Sequence, residues 1–381
     1  MVNERRWELQ RIGSVADLEA ASAWRNAPER WLLEHDPWWS AALLDAPDTA
    51  VLLASRDGRP FVSIFVHQVG LGLELGEFSL GSIPVRRHVL TGGLGNDVAS
   101  SSELADLLIR LGPELGPSGV IFLQGVRTDE PLRAALDAPQ VRRLYNILPH
   151  SPSYQRCRIR LEGNFDAYLA SLGRGTRKDL KKTIRVFKER VGEAVERRVV
   201  TTLDDLEAVL PELERLSAKT YQSRLLGLGI APGNFVERQL RNGVSRGIGR
   251  LDLLRMRGEL ISFQVGYTYH GAFYATQAGY DPAWADLQPG IVHLIFTIED
   301  FCRNDPQVRY FDFMYGQSLY KTRLSNTFHE ESQFYLIPRT ARGWATWAAL
   351  QAVNRTSGAI GTALRKLRVK ETARKLLRRF A

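Results

Sequence analysis

The chain has 381 residues, 44% hydrophobic and 24% charged, with 51 Lys/Arg against 42 Asp/Glu and only two cysteines. That length suits two or three domains with a real core, and the composition excludes a disordered chain or a disulfide scaffold. Of the net charge of +9, residues 355–381 carry +8, so the body is nearly neutral and its basicity belongs to one tail.

The start, MVNERRWELQ, lacks the apolar stretch of a secretion signal, and no apolar run approaches the roughly 20 residues of a spanning helix. A cytoplasmic protein is expected, peripheral to the inner face of a membrane if the tail binds there.

In chain order, Val51–Arg56 and Phe61–Val69 flank Asp57-Gly58, which predicts a hairpin. Ser102–Gly112 reads as a helix with Ser102 as its cap, Val120–Val126 as a buried strand, and the region Pro131–Ala138 as a second helix. Prolines 149 and 152 mark a boundary near 148–153. Beyond it, Gln155–Leu161 alternates like a half-buried strand, and a basic helix follows over Leu172–Arg190. Val195–Thr202 is a strand and Asp205–Arg224 a helix containing Pro211. Arg250–Arg257, Leu260–His270 and Ala272–Tyr280 form a meander, then come a helix from Pro289 to Arg303 and strands at Val308–Met314 and Glu331–Pro338. The expected class is α/β with a mixed sheet. The domains expected are 1–150, 151–340 and a helical basic tail, 341–381.

Common catalytic signatures are absent: there is no GxxxxGK[ST] loop, no HExxH and no GxSxG. Gly92-Gly93-Leu94-Gly95 lacks a strand–GxGxxG–helix setting and reads as a turn. The seven histidines are scattered, so no metal site is expected.

Three segments stand out. In Gly279–Phe301, Pro289 opens a helix and Gly290 lies just inside it, so free N–H groups and the helix dipole face an incoming anion without an obstructing Cβ. The plain alternative is a Pro-started helix packing on a sheet. In Asp312–Asn326, Asp312 ends an apolar strand and Tyr315, Tyr320, Lys321 and Arg323 lie beyond a glycine turn. Polar groups at a strand's carboxyl end suit acid–base work, Tyr320 as an acid and Asp312 as a base; the alternative is a satisfied carboxylate and solvated cations. In Leu172–Arg190, Arg177, Lys181 and Arg185 form one helical row and Lys178 and Lys182 another, which suits an anionic partner as well as a solvated face.

These segments, in this order, resemble a branch of the GNAT acyltransferases found in bacterial cellulose- and exopolysaccharide-synthesis clusters, and the related Fem-type aminoacyltransferases. The residues that carry the resemblance are Arg177-Lys178 with Lys181-Lys182, Gly279-Tyr280-Asp281-Pro282, Gln288-Pro289-Gly290, Phe311-Asp312-Phe313 and Tyr320-Lys321. The resemblance implies a GNAT-like fold, with the first half a degenerate second copy. It implies acetyl-CoA or another acyl-CoA as co-substrate, without a metal. Pantetheine would lie beside Gln277, Ala278 and Gly279, and the pyrophosphate on Gln288, Pro289, Gly290 and Ile291. Asp312, Tyr320 and Lys321 would be catalytic; Arg177, Lys181, Tyr280, Asp281 and Tyr315 would meet the acceptor, an amine of a small molecule, amino sugar or glycan precursor.

The chain departs from the superfamily's pyrophosphate signature, Gln/Arg-x-x-Gly-x-Gly/Ala, because Ala285 and Gln288 stand at the first two fixed positions when Gly290 takes the last. Two alternatives stay open beside the CoA reading: an aminoacyl-tRNA-dependent transferase, and a non-catalytic ligand-binding or scaffold protein. The stripe Ile360, Leu364, Leu367, Leu377 and Phe380 in the basic tail suits an anionic membrane surface, packing on the body, or RNA.

Overall fold

Asp57 and Gly58, both at positive φ, reverse the chain between two antiparallel strands, and Arg257–Gly258 and His270–Gly271 repeat the device. These are turns whose twist matches that of the strands they join. The computed structural model describes residues 7–24, 31–44, 46–75, 78–94, 99–161, 164–192, 194–220, 223, 229–316 and 318–366.

The first half runs β1 (Trp7–Ile12), α1 (Val15–Ala20), α2 (Pro37–Ala41), β2 (Ala50–Arg56), β3 (Arg59–Leu75), β4 (Phe78–Thr91), α3 (Ser101–Leu111), β5 (Gly119–Arg127), α4 (Pro131–Ala135), α5 (Pro139–Leu144) and β6 (Tyr145–Pro149). Next come β7 (Tyr154–Arg160) and two helices, α6 (Phe165–Ser171) and α7 (Arg174–Val191). The second half runs β8 (Val195–Val200), α8 (Leu203–Lys219), α9 (Phe235–Ser245), β9 (Gly249–Met256), β10 (Glu259–Tyr269), β11 (Ala272–Tyr280), α10 (Pro289–Asn304), β12 (Tyr310–Asp312), α11 (Leu319–Leu324) and β13 (Thr327–Pro338). A last helix, α12, covers Ala341–Lys366.

Among the described residues these strands form one sheet in the order β1-β2-β3-β4-β5-β13-β7-β12-β11-β10-β9-β8, with β6 also on β13. Each half is an antiparallel meander of four strands, then a helix, then a fifth strand parallel to the fourth: β4-α3-β5 and β11-α10-β12. The expected repetition of fold is therefore present. β13 zips the halves together, since it pairs with β5 of the first half and with β7.

Several expected boundaries move, each for a local reason. Ser100, not Ser102, caps α3, because its hydroxyl accepts from Glu103 N and the Glu103 carboxylate reaches back to Ser100 N. This is a capping box. The helix expected over 131–138 ends at Ala135, and a separate helix opens at Pro139, which holds Ala138 before it in an extended conformation. The strand expected over 308–314 keeps only three residues: Asp312 accepts from Met314 N at 2.7 Å, and Met314 and Gly316 at positive φ turn the chain away. Pro211 lies inside α8 without ending it. Residues 367–381, with much of the basic stripe, lie outside the described residues. No helix among the described residues is long and apolar enough to cross a membrane.

Candidate active site

β11 and β12 pair only over Ala272–Tyr274 and Tyr310–Asp312. Beyond Tyr274 the two strands part. The cause is local: Val265 pairs with Gln277 but Gly266 with Ala275, so Thr276 is an extra residue on β11 that bends it away. Gly266 is required here, because a Cβ would come 2.1 Å from Phe273 Cζ. From Ala275 to Tyr280, β11 pairs with β10 on one side and leaves its β12-facing backbone edge without a strand.

The opening leads to the start of α10. Gln288 is its N-cap in the left-handed region, Pro289 its first residue, and no side chain caps it. No acidic residue stands in its first turn. A Cβ on Gly290 would meet only the Tyr280 ring, 3.2 Å away at Cδ1, and that ring is largely exposed. Ile291 N and Val292 N already donate to Gln288 O, at 3.0 and 3.2 Å, which leaves the Gly290 N–H to face an anion at the start of this 16-residue helix, beside the open strand edge. Gln277, Ala278, Gly279, Tyr280, Gln288, Pro289, Gly290 and Ile291 are thus brought to one place.

The first half has the same elements, but they are filled. β4 stays paired with β5 to its end at Thr91. Past it, Glu130 accepts from Gly93 N at 2.7 Å and from Arg127 N at 2.9 Å, placing a carboxylate across the end of the two strands. Burial pushes that carboxyl up to about 7 despite the two donors. The N-terminus of α3 is closed by its own Glu103. Hence the first half meets its anion requirement from within the chain.

Between the openings lies a buried polar cluster. Asp312 is fully buried; Arg156 Nε reaches it at 3.0 Å and Arg158 Nε at 2.5 Å. Burial alone would raise its carboxyl, but the two guanidinium groups and the Met314 N–H outweigh this and hold it below the ordinary range. Arg156 also faces Glu34 at 3.7 Å, Glu331 at 3.6 Å and the Tyr315 ring at 4.9 Å. Glu34, from the 3-10 turn Leu33–His35, is raised by burial, partly offset by Arg156. Across strands, Asp312 pairs with Arg158, Arg158 with Thr327, Arg156 with His329 and Tyr154 with Glu331. Register partners share a face, so all of these lie on one side of the sheet. Phe273 and Phe311 lie on the other, where Phe273 packs against Phe301 of α10.

This geometry corrects three expectations. Asp312 is already neutralised by two guanidinium groups, so it has little drive to take a proton from an amine. Lys321 Nζ donates to the carbonyls of Phe313 (2.8 Å) and Tyr315 (3.1 Å), clamping the turn after β12 rather than facing a ligand. Tyr315 turns its hydroxyl inward, where it is buried against Glu34, and a Cβ on Gly125 would come 2.9 Å from its ring. It joins the halves instead of meeting an acceptor.

Tyr320 remains half exposed at the start of α11, its ring edge-on to Phe313 with the centroids 6.0 Å apart. Burial raises its phenol, so it stays protonated at neutral pH. Asp281 pairs with Lys219 at 2.5 Å and accepts from Ala283 N at 3.0 Å, fixing the turn that follows β11. Arg177 donates to Ala170 O at 2.8 Å, whereas Lys181 is exposed and has no partner among the described residues. Among the described residues no hydrogen bond or ion pair joins either to the 288–291 turn; α7 instead reaches α11 through Asp179 and Arg323, 2.6 Å apart.

Sequence reasoning missed Glu34, Arg156, Arg158, His329 and Glu331. One signal was available: the alternation of Gln155–Leu161 puts Arg156 and Arg158 on one face opposite Cys157 and Ile159, and two arginines on a core strand require buried acids.

Residues 174–322 match the family model described as Acetyltransf_6, an acetyltransferase (GNAT) domain. No curated protein matches the sequence. Among solved structures, the chain resembles FemX with a TM-score of 0.54 at 12% identity, over 86% of this chain and 96% of that one. It resembles the C-terminal domain (DUF2156) of a putative lysylphosphatidylglycerol synthetase from Agrobacterium fabrum with a TM-score of 0.51 at 10% identity, over 90% and 95%. A conserved protein of unknown function from Bacteroides thetaiotaomicron gives 0.50 at 14% identity, over 85% and 97%. Identities this low speak for the fold alone. With the matched segment spanning the open strand edge, the uncapped helix and Tyr320, residues 174–322 form an acetyltransferase domain of the GNAT superfamily, and the chain that carries it is an acyltransferase.

Proposed function

We propose that the chain transfers an acyl group, in the simplest case acetyl, from acyl-CoA to an amine of a small molecule, amino sugar or glycan precursor. The asymmetry between the halves carries this reading: the helix start and strand edge open at Gly290 and β11 are both filled in the first half, by Glu103 and Glu130. Residues 151–340 are accordingly read as the catalytic domain, 1–150 as a degenerate copy covering the acceptor side, and 341–381 as the basic tail. The tail offers an anionic membrane surface as a place of work, in keeping with an exopolysaccharide-synthesis role.

In this reading the backbone N–H of Gly290 meets the pyrophosphate, that of Ile291 being already given to Gln288 O, and the free edge of Gln277–Gly279 lies along the pantetheine. The amine nitrogen attacks the thioester carbonyl, the C–S bond breaks, and the departing thiolate takes a proton from Tyr320. Asp312, Arg156 and Arg158 hold the end of β12 and so the position of Tyr320 beyond it. Most of the acceleration comes from orientation and from backbone donors to the developing oxyanion.

Calorimetry with acetyl-CoA and longer acyl-CoAs at two salt concentrations tests this. Micromolar binding that persists at moderate salt supports it, and no binding to any acyl-CoA sinks it. A second reading, with aminoacyl-tRNA as donor, is favoured by α7, whose Arg174, Lys178, Lys181, Lys182 and Lys188 are exposed without an acidic partner among the described residues. In that case tRNA binding weakens steeply with salt.

A further inference from the structure

The reaction above needs a group to take the proton of the attacking amine, and we propose that this group is the imidazole of His329, held in place by Glu331. The inference rests on the acyltransferase reading and extends it. His329 Nε2 lies 2.7 Å from Glu331 Oε1, with side-chain exposures of 17% and 3%. Glu331 is itself fixed: Tyr154 donates its hydroxyl to the other carboxylate oxygen at 3.0 Å, and Arg156 lies 3.6 Å away. A carboxylate accepting from Nε2–H sets the tautomer and leaves the Nδ1 lone pair free. That nitrogen has no hydrogen-bond partner among the described residues.

Position agrees with chemistry. His329 is the register partner of Arg156 and lies on the same face as Asp312, two strands from β12. Two strand spacings are roughly 10 Å, a gap that an imidazole side chain and an acceptor amine, or one bridging water, can cover. The other titratable groups of the cluster are engaged: Asp312 by two guanidinium groups, Glu34 behind Arg156 and Tyr315, and Lys321 by backbone carbonyls. The charges around His329 come from several elements. Glu331 lies beside it on β13, Arg156 and Tyr154 on β7, and Asp129 with Arg127 at the end of β5, while Glu330 on β13 accepts from Ser153.

The step balances. As the C–N bond forms, Nδ1 takes the amine proton and Glu331 faces the resulting imidazolium. The C–S electron pair leaves as thiolate, Tyr320 protonates it, and the imidazolium then returns its proton through solvent to the tyrosinate. The products are an amide and free CoA.

The test uses the full chain and two variants, His329→Gln and Glu331→Gln. Acetyl-CoA affinity is measured first by calorimetry; then thiol release from acetyl-CoA is followed against pH with glucosamine, lysine and water as acceptors. Unchanged acetyl-CoA affinity, a kcat lower by about 10²–10⁴ in His329→Gln and loss of the rising limb of its pH profile are expected. Wild-type kcat and an intact limb in His329→Gln overturn the assignment. Absence of acetyl-CoA binding to the unmodified protein strikes the acyltransferase reading instead. Independently of turnover, ring 15N shifts should show His329 protonated at Nε2, with a mixed tautomer in Glu331→Gln. A ring protonated at Nδ1 in the unmodified protein also overturns the proposal.

Discussion

Arg156 and Asp312, 156 residues apart in sequence, meet in the buried centre of the sheet with Nε 3.0 Å from Oδ1 and 3.1 Å from Oδ2. The pair couples β7, the first strand past the first half, to the end of β12, where the candidate chemistry begins. Arg158 on Asp312, and Glu34 and Glu331 around Arg156, draw the first half and β13 into the same cluster. Burying so many charges is expensive, and its return here is one fixed arrangement of the two halves around the opening of β11.

Asp312→Asn should therefore act mainly on stability. It leaves Arg156 and Arg158 buried without their shared carboxylate, a change that costs about 3–5 kcal/mol when one partner of a buried pair is removed. Urea denaturation reads this directly. A midpoint equal to the unmodified protein's means that Asp312 is no strut and returns it to the list of candidate bases.

Glu130 gives the first half a pH signature. Its folded carboxyl titrates at about 7 against an ordinary 4.5, so the folded state holds this proton more tightly than the unfolded one. Between pH 4.5 and 7, stability therefore falls as pH rises, by up to about 3 kcal/mol from this group. Asp312 and Asp252, whose carboxyls are held low, act in the opposite sense and in a lower window, losing stability as pH drops below the ordinary carboxylate range. Glu130→Gln should flatten the slope between pH 5 and 7 in thermal melts. An unaltered slope in that variant means that another group titrates there.

Much of the fold, above all in the second half, was legible because its signals are local. Asp57-Gly58, Arg257-Gly258 and His270-Gly271 announce their turns, Pro289 announces its helix, and strands β9–β11 are apolar enough to declare themselves. β4 was not read, since Pro84, Arg86 and Arg87 break any alternation, and it is a strand because β3 and β5 flank it. The opening proposed for the donor could be placed from Gly290 and Tyr280. The polar cluster proposed for the acceptor side could not, because Glu34, Arg156, His329 and Glu331 meet only through the insertion of β13 between β5 and β7. No sequence spacing encodes that juxtaposition.

Tyr320→Phe separates acid catalysis from binding. The side chain is 42% exposed and the change removes only its hydroxyl, so the variant should melt like the unmodified protein. With acetyl-CoA as donor, kcat should drop by about 10²–10⁴ while calorimetric affinity stays the same. If affinity falls in step with kcat, Tyr320 contributes to binding and the thiolate finds its proton elsewhere.

Gly290→Glu tests the placement of the donor, and Ser100→Ala serves as its counterpart in the first half. The new Cβ at 290 would lie 3.2 Å from the exposed Tyr280 ring, which can yield, so the fold should persist. A carboxylate in the first turn of α10 also suits the helix dipole, as Glu103 does in α3, and stability should hold or rise slightly. The same carboxylate would fill and repel the phosphate position, so acetyl-CoA affinity should fall at least about tenfold. Ser100→Ala should do the reverse: it removes the α3 cap at a cost of about 1 kcal/mol and leaves affinity untouched. Unchanged affinity in Gly290→Glu, or lost affinity in Ser100→Ala, would move the donor away from α10 and with it the assignment of the second half as the catalytic one.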